Sequence, residues 1–311
     1  MSAVAVTRPL TIDDTVEVSR VGHRLALGIQ WLDALTGMPV AGDWINDLEA
    51  VGPRPAGLRF ERHSQARQAL RDAGGLAKRL RLAAADKLAT PPLEVADDPT
   101  NFVVRAFARR DPRHATYRSD NDPRQYVPRR LSLTPVQNGG VPPPSTANIR
   151  TAWLWPGAAY PLAANASAIR GRIRRGASLA SARPVAWARV VVTRPGAGPA
   201  DFDGETPLAW AHGDDRGEFL VVLGTLAVPG GVVLPATLAL RLWVFLPPAG
   251  APEPADPLAG LPLEVAGSDA LNDVLRGTAM PATYVRQPDF VDLTLPPGVL
   301  SGVNDADLLF A

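Results

Sequence analysis

Residues 183–223 read RPVAWARVVVTRPGAGPADFDGETPLAWAHGDDRGEFLVVL, and this stretch decides the predicted fold. It contains three short runs rich in aliphatic, β-branched and aromatic residues, at 185–193, 208–211 and 218–223. Polar turns rich in glycine, proline and aspartate separate the runs, and such turns join neighbouring strands. Three strands within about forty residues are typical of an antiparallel β-sandwich. The stretch therefore predicts a sandwich framework.

The composition favours a folded protein with many loops. The chain has 311 residues, which is enough for two domains that each bury a core. Its 32 prolines disfavour long helices. Because 32 basic and 31 acidic residues leave a formal net charge of +1, no overall field favours nucleic acid as a partner. The chain has no cysteine, which excludes disulfides and thiolate chemistry.

The sequence also bears on location. No apolar run reaches the roughly 20 residues of a membrane-spanning helix. Residues 1–8 lack the charged start and long apolar core of a signal peptide. We therefore expect no membrane span and a cytoplasmic protein.

Strand-like runs predict two tandem sandwiches. The first spans residues 1–134, where 23–32 alternates apolar and polar residues and 101–109 is a strongly apolar run. Residues around 64–88 are rich in helix-forming types and predict a partly helical insertion, with a hairpin turning at Gly74-Gly75 as the alternative. The run at 126–133 contains Pro128, which places it at a sheet edge or makes the proline its start.

The other segments are a linker, a second sandwich and a tail. Residues 135–167 are predicted as a proline- and aromatic-rich linker, and 168–248 as the second sandwich. Residues 249–311 contain many prolines, glycines and aspartates, so we predict a long extended C-terminal tail along these domains or a neighbouring subunit. The fold class is therefore mainly β, with two immunoglobulin- or prealbumin-like β-sandwiches.

Three motifs of the second domain carry a resemblance to a known family. They read IRGRI at 169–173, RPVAWARV at 183–190 and GDDRGEFL at 213–220. Together they resemble the carboxypeptidase regulatory-like domain, which is a seven-strand prealbumin-like sandwich. The resemblance covers the second domain and, more weakly, the first, and it implies fold more than role.

The domain arrangement carries a second resemblance. Tyr126-Val127-Pro128-Arg129 ends the first domain, and a proline linker leads to Trp155-Pro156-Gly157-Ala158-Ala159-Tyr160-Pro161. This order is similar to accessory proteins encoded with phage-tail-like contractile injection particles. The resemblance implies a non-enzymatic structural subunit whose partners are sheath, tube, baseplate or cap proteins and copies of itself. The candidate partner-binding residues are Trp153, Trp155, Tyr160, Tyr126 and Arg129. If exposed, the aromatics Trp153, Trp155 and Tyr160 would form a binding platform, but the favoured interpretation is that they pack between the two domains.

The sequence contains few candidates for a catalytic or metal-binding site. The four histidines, at positions 23, 63, 114 and 212, lie in separate segments without metal-ligand spacing. Asp201, Asp203, Asp214 and Asp215 are weak candidates for a calcium site, and a solvated turn is the favoured interpretation. We therefore expect no cofactor and no enzymatic activity. A cytoplasmic enzyme with a metal site in 201–215 is the least favoured alternative.

A carbohydrate-binding or adhesive module is the main alternative to a structural subunit. In that case Trp153, Trp155, Trp187 or Trp210 would be exposed and would stack on sugar rings. The alternative therefore depends on the exposure of these indole rings.

Overall fold

The computed structural model describes residues 24–52, 54–64, 66–72, 101–135, 147–196, 200–223, 236–248 and 256–310. Within these ranges the protein is mainly β and forms two sandwiches, which confirms the predicted fold class. No helix in the same ranges is long and apolar enough to cross a membrane.

Two sheets form the first sandwich. Sheet A has the order β4-β5-β1-β8 and contains β1 (Arg24–Asp33), β4 (Glu61–Ser64), β5 (Arg67–Asp72) and β8 (Ile149–Leu154). Sheet B has the order β16-β7-β6-β2-β3 and contains β2 (Trp44–Val51), β3 (Arg54–Arg59), β6 (Phe102–Ala108), β7 (Arg129–Leu133) and β16 (Leu263–Gly267). The core lies between them, because alternate residues such as Leu27 and Trp31 of sheet A and Leu48 and Leu131 of sheet B point inward.

The second sandwich packs one larger sheet against two small ones. Sheet C has the order β13-β12-β15-β17, with β18 also paired to β15, and contains β12 (Arg189–Thr193), β13 (Pro207–His212), β15 (Leu238–Leu246), β17 (Val285–Arg286) and β18 (Val291–Leu295). Sheet D has the order β14-β9-β19 and contains β9 (Ala168–Arg172), β14 (Glu218–Val222) and β19 (Leu300–Gly302). Sheet E has the order β11-β10-β20 and contains β10 (Arg174–Arg175), β11 (Arg183–Pro184) and β20 (Leu309–Phe310).

The segments predicted as linker and tail supply strands to both sandwiches. β8 lies in the predicted linker and pairs parallel with β1, and its alternation buries Ala152 and Leu154 in the first core. β16 lies in the predicted tail and pairs parallel with β7. β17 to β20 also come from the tail and join the second sandwich, where Leu308 and Phe310 are buried. Residues 256–310 of the predicted tail thus run along both sandwiches as short strands, a 3-10 turn and one short helix.

Two local expectations need correction. The strand predicted at 126–133 begins at Arg129, directly after Pro128, but it is not an edge strand, because β6 and β16 pair with it on its two sides. Within the predicted helical insertion, residues 67–72 form strand β5, which pairs with β1 and buries Leu70. Residues 73–88 of the insertion, residues 136–146 of the linker and residues 224–235 of the second sandwich lie outside the described residues.

One short helix, α1 (Asp273–Arg276), lies against β8 and β16. The Asn272 side chain caps its start by accepting a hydrogen bond from the Leu275 N–H at 2.8 Å. Gly277 ends it with a left-handed backbone, φ 75°. The helix therefore presents its C-terminal carbonyls at a fixed place beside the first sandwich.

Candidate functional site

The contact between the two sandwiches, here called the junction, contains a buried carboxylate that binds two arginines. Arg129 of β7 is fully buried and donates to Glu264 of the neighbouring β16, at 3.2 Å from its Nε. Arg189 of β12, in the second sandwich, donates to the same carboxylate at 3.3 Å. Arg129 also donates to the carbonyls of Trp153 and Leu275, at 2.8 and 2.6 Å. Arg129 was predicted to bind a partner, but its guanidinium is used within the chain.

The last carbonyls of α1 are a second part of the junction. Helix C-termini leave carbonyls without intrahelical partners. Trp155 donates its indole N–H to the backbone carbonyl of Arg276 at 2.8 Å. Nε2 of the His212 ring lies 2.9 Å from the carbonyl oxygen of Gly277. The Trp155 and His212 rings are stacked, with centroids 5.7 Å apart. Trp155 is thus buried between the sandwiches, which agrees with the packing interpretation of the aromatics rather than with a free binding platform.

His212 is a fully buried neutral histidine. Burial, together with the charges of Arg189 and Arg129, holds its pKa well below the usual value. A neutral ring beside the carbonyl of Gly277 must donate from Nε2, so Nδ1 carries no proton, and Nδ1 has no hydrogen-bond partner among the described residues. His212 therefore belongs to the packing of the junction, and within the described part of the chain it is not grouped with other metal ligands.

Tyr126 and Tyr160 meet on a single carboxylate. Each phenol donates to Oδ2 of Asp33 at 2.7 Å. Burial opposes ionisation of Asp33, but these two hydrogen bonds and those from the backbone of Thr36 and Leu35 outweigh it and lower its pKa. Burial, and then the contact with Asp33, raises the pKa of both tyrosines. Tyr126 is buried in the first core, whereas half-buried Tyr160 packs both against that core and against sheet D, so Tyr160 links the two sandwiches.

Trp187 anchors an apolar part of the junction. Its side chain is 2% exposed, and its indole N–H donates to the carbonyl of Pro257 at 3.1 Å. It packs with residues of the first sandwich and of the 3-10 turn at Pro257–Gly260, namely Ile45, Phe107, Tyr117, Val127, Leu258 and Leu261. Trp187 has a left-handed backbone, φ 64°, which is strained for a bulky residue. Enclosed in this way, Trp155 and Trp187 cannot stack on sugars, and Trp153 and Trp210 are half-buried.

The four candidate metal-binding aspartates lie in two different settings. Asp201 and Asp203 are exposed at the 3-10 turn Phe202–Gly204, where Asp201 caps the backbone. Asp214 is buried and accepts from the backbone N–H groups at positions 216 and 218, and Asp215 accepts from the Ser119 hydroxyl. In the ranges that the structure describes, no three histidine, aspartate or glutamate side chains are grouped to hold a metal ion.

The outer face of sheet C carries aromatic side chains and is called the aromatic face. The residues that form it are Val191, Trp210, Trp243 and Phe245 on the strands and Phe202, Met280, Tyr284 and Phe290 over them. Phe202 meets Trp243 and Phe245 edge-on, with ring centroids 5.7 and 5.0 Å apart. Phe290 is 37% exposed, whereas Trp243 is 3% exposed, so the face is an ordered aromatic layer with an accessible outer surface.

Two arginines lie on the aromatic face. Arg241 lies 4.2 Å from the centroid of Phe290 and binds both oxygens of Asp292, at 2.7 and 3.0 Å. Arg286 lies 5.5 Å from the centroid of Trp243 and is exposed. No carboxylate is paired with Arg286 within the described ranges. An exposed arginine on an aromatic layer is the composition of a protein-binding hot spot.

Sequence reasoning missed the aromatic face, although β15 contained a signal for it. Its sequence LALRLWVFL buries Leu242 and Val244 in the sandwich core, and the alternate positions hold Arg241, Trp243 and Phe245. A strand that is apolar on both faces is covered on both faces. Applied to β15, this rule predicts an aromatic layer outside the sandwich.

The fold and these sites define the class as a mainly β protein of two interlocked sandwiches. No family model and no curated protein matches the chain. Among solved structures, the chain is similar to the crystal structure of GBS52, the minor pilin in the gram-positive pathogen Streptococcus agalactiae. The identity is 8% and the TM-score 0.22, over 89% of this chain and 92% of that chain. A similarity this remote says nothing about function.

Proposed function

We propose that the protein is a non-enzymatic structural subunit that acts through protein–protein contacts. The observation that carries this proposal is the aromatic face, where Phe290 and Arg286 are exposed on an ordered layer anchored by Trp243. Aromatic residues and arginine are enriched where truncation most weakens protein complexes. The face is therefore the surface with which the protein contacts its neighbour.

The junction supports the same proposal, because a structural subunit must keep its shape under contact with several neighbours. Glu264 binds an arginine from each sandwich, and strands from the C-terminal segment complete sheets in both sandwiches. Relative motion of the two sandwiches would break these buried ion pairs and leave charge unpaired in the interior. The two sandwiches therefore act as one block that presents the aromatic face in a fixed direction.

The more specific proposal concerns the assembly. The sequence motifs at 126–129 and 155–161 are similar to those of accessory proteins of phage-tail-like contractile injection particles. On that resemblance, the neighbours of the aromatic face are sheath, tube, baseplate or cap proteins of such a particle.

Co-purification tests the proposal. The full chain is tagged and produced together with sheath, tube, baseplate and cap proteins of a contractile particle from the same genome. We expect at least one of them to be retained, and we expect Phe290→Ala or Arg286→Ala to reduce the retained amount about tenfold. The control is Met38→Ala, which truncates a side chain that is 65% exposed on the first sandwich.

The outcomes separate the parts of the proposal. A protein that stays monomeric and retains none of these proteins contradicts the particle assignment. Retention that Phe290→Ala and Met38→Ala reduce equally would show that the aromatic face is not the contact surface. Glycan binding that is lost in Phe290→Ala would instead favour the adhesive alternative.

A further inference from the structure

A cleft of about 430 Å³ lies where the two sandwiches meet, on the outer side of sheet D. Arg124 and Ala158 line it from the first half of the chain, and Arg170 and Arg172 line it from β9. Clefts of this volume between domains are common places for small-molecule binding. The cleft is separate from the aromatic face, which lies on the other sheet of the second sandwich.

Two of the arginines that line the cleft have no carboxylate partner among the described residues. The Glu218 carboxylate binds Arg124, although Arg172 is its partner in the strand register. The other lining carboxylate, Asp305, pairs with Arg174 at 3.4 Å. Within the described residues no carboxylate is paired with Arg170 or Arg172.

Arg170 and Arg172 are both positioned to bind an anion in the cleft. Arg172 is oriented by its Nε, which donates to the carbonyl of Arg216 at 3.1 Å, so its terminal nitrogens remain for another acceptor. Arg170 is exposed, and its register partner on β19 is Gly302, which has no side chain to cover it. Residues two apart on a strand lie on the same face, about 6.7 Å apart. The side chains of Arg170 and Arg172 therefore project from the same face of β9, close enough for one small ligand to contact both guanidinium groups.

The backbone at the wall of the cleft supports a built site. Arg124 adopts a left-handed conformation, φ 60°, which is uncommon for a residue with a long side chain. Its carbonyl accepts the N–H of Ala159 at 2.9 Å, and a side chain at Gly157 would meet the same carbonyl at 2.4 Å. Such conformations persist where the surrounding structure fixes them, and they concentrate at ligand sites.

We propose that this cleft binds a small molecule that carries two oxyanion groups, one on Arg170 and one on Arg172. Guanidinium groups bind carboxylate and phosphate oxygens through paired N–H donors, and both chemistries fit. The inference is independent of the aromatic face, because neither arginine contributes to that layer.

Titration calorimetry of the full chain at constant ionic strength tests the site, with citrate as the carboxylate probe and pyrophosphate as the phosphate probe. We expect one-to-one binding of at least one probe, and binding of only one identifies the oxyanion. Arg170→Ala and Arg172→Ala should each weaken it about tenfold or more. Gly302→Leu should also weaken it, because it adds bulk where a Cβ has no atom within 4 Å and leaves all charges in place.

The matched control is Arg194→Ala, which removes one exposed arginine after β12, outside the cleft lining. It should leave the affinity unchanged. Failure of both probes to bind would overturn the proposal. Equal weakening by Arg194→Ala and Arg170→Ala would overturn it too, because the attraction would then be a general charge effect. Neither result bears on partner retention through the aromatic face.

Discussion

The junction and the aromatic face both combine arginine, carboxylate and tryptophan, yet solvent reaches them differently. At the junction, Glu264 has a side chain that is 4% exposed and holds Arg129 and Arg189. On the aromatic face, Arg241 binds two carboxylates, Asp292 with a side chain that is 52% exposed and Glu205 with one that is 7% exposed. Both indoles are buried, since Trp187 is 2% and Trp243 3% exposed, but the layer over Trp243 ends in a partly exposed Phe290.

This difference separates two physical roles. A buried ion pair is strongly coupled, since removing one partner leaves a charge without water or counter-charge. An exposed pair is screened by solvent and contributes little to stability. The junction therefore holds the sandwiches together, while the aromatic face keeps part of its outer surface open to solvent.

The largest expected effect comes from neutralising the two carboxylates in turn. Glu264→Gln leaves two buried arginines without a counter-charge, and we expect it to lower the free energy of unfolding by about 3–5 kcal/mol. Asp292→Asn makes the same chemical change on the aromatic face and should lower it by at most about 1 kcal/mol, because Asp292 is half exposed and Glu205 still balances Arg241. Urea denaturation of both variants measures the comparison. Equal losses would contradict the distinction between the two regions.

A smaller effect is expected from two glycines with similar backbones. Gly277 has φ +75°, and an added Cβ would lie 2.6 Å from the Trp155 indole nitrogen and 2.9 Å from the His212 ring. Gly37 has φ +68° and has no neighbouring atom within 4 Å of an added Cβ. Gly37→Ala should lower the free energy of unfolding by about 1 kcal/mol, from backbone strain alone.

For Gly277→Ala we expect a loss of about 2 kcal/mol or more, because overpacking adds to the strain. Thermal unfolding of both variants provides the measurement. A Gly277→Ala protein as stable as Gly37→Ala would mean that the stacked pair of Trp155 and His212 can move apart, and that the junction is looser than its contacts indicate.

The sequence predicted the strands well because strand periodicity is a local property. The runs at 185–193, 208–211 and 218–223 lie at β12, β13 and β14. The partners of the short strands β16 and β19 could not be predicted in the same way. Each is at most five residues long and pairs with a strand more than a hundred positions away. Such pairing depends on tertiary burial, which periodicity does not record.

The site was less predictable for the same reason. Trp155, Tyr126 and Arg129 were selected from the motifs of the second resemblance, and the structure does bring them to one region. Their role was decided by distant residues, because Glu264 lies 135 positions after Arg129. The aromatic face required a different signal, namely that β15 is apolar on both of its faces.

The smallest effect expected is a pH dependence at His212, the residue of β13 that lies at the junction, two positions from Trp210 on the aromatic face. The pKa of His212 is lowered in the folded protein, and in the unfolded chain it returns to about 6.5. As the pH falls below that value, His212 is protonated in the unfolded chain but stays neutral in the folded protein. The free energy of unfolding should therefore fall by up to about 1.4 kcal/mol per pH unit from this residue.

His212→Gln isolates this effect, because glutamine can donate to the carbonyl of Gly277 but does not titrate. The difference in unfolding free energy between the wild type and this variant should be constant above about pH 7.5 and shrink steadily towards pH 5.5. Taking the difference removes other titrating groups, including the buried Asp122, whose pKa is raised to about 6 mainly by burial and which acts with the opposite sign. Parallel pH profiles would mean that the junction admits a protonated His212 beside Arg189 and Arg129. The junction would then resemble the solvent-screened aromatic face more closely than its burial indicates.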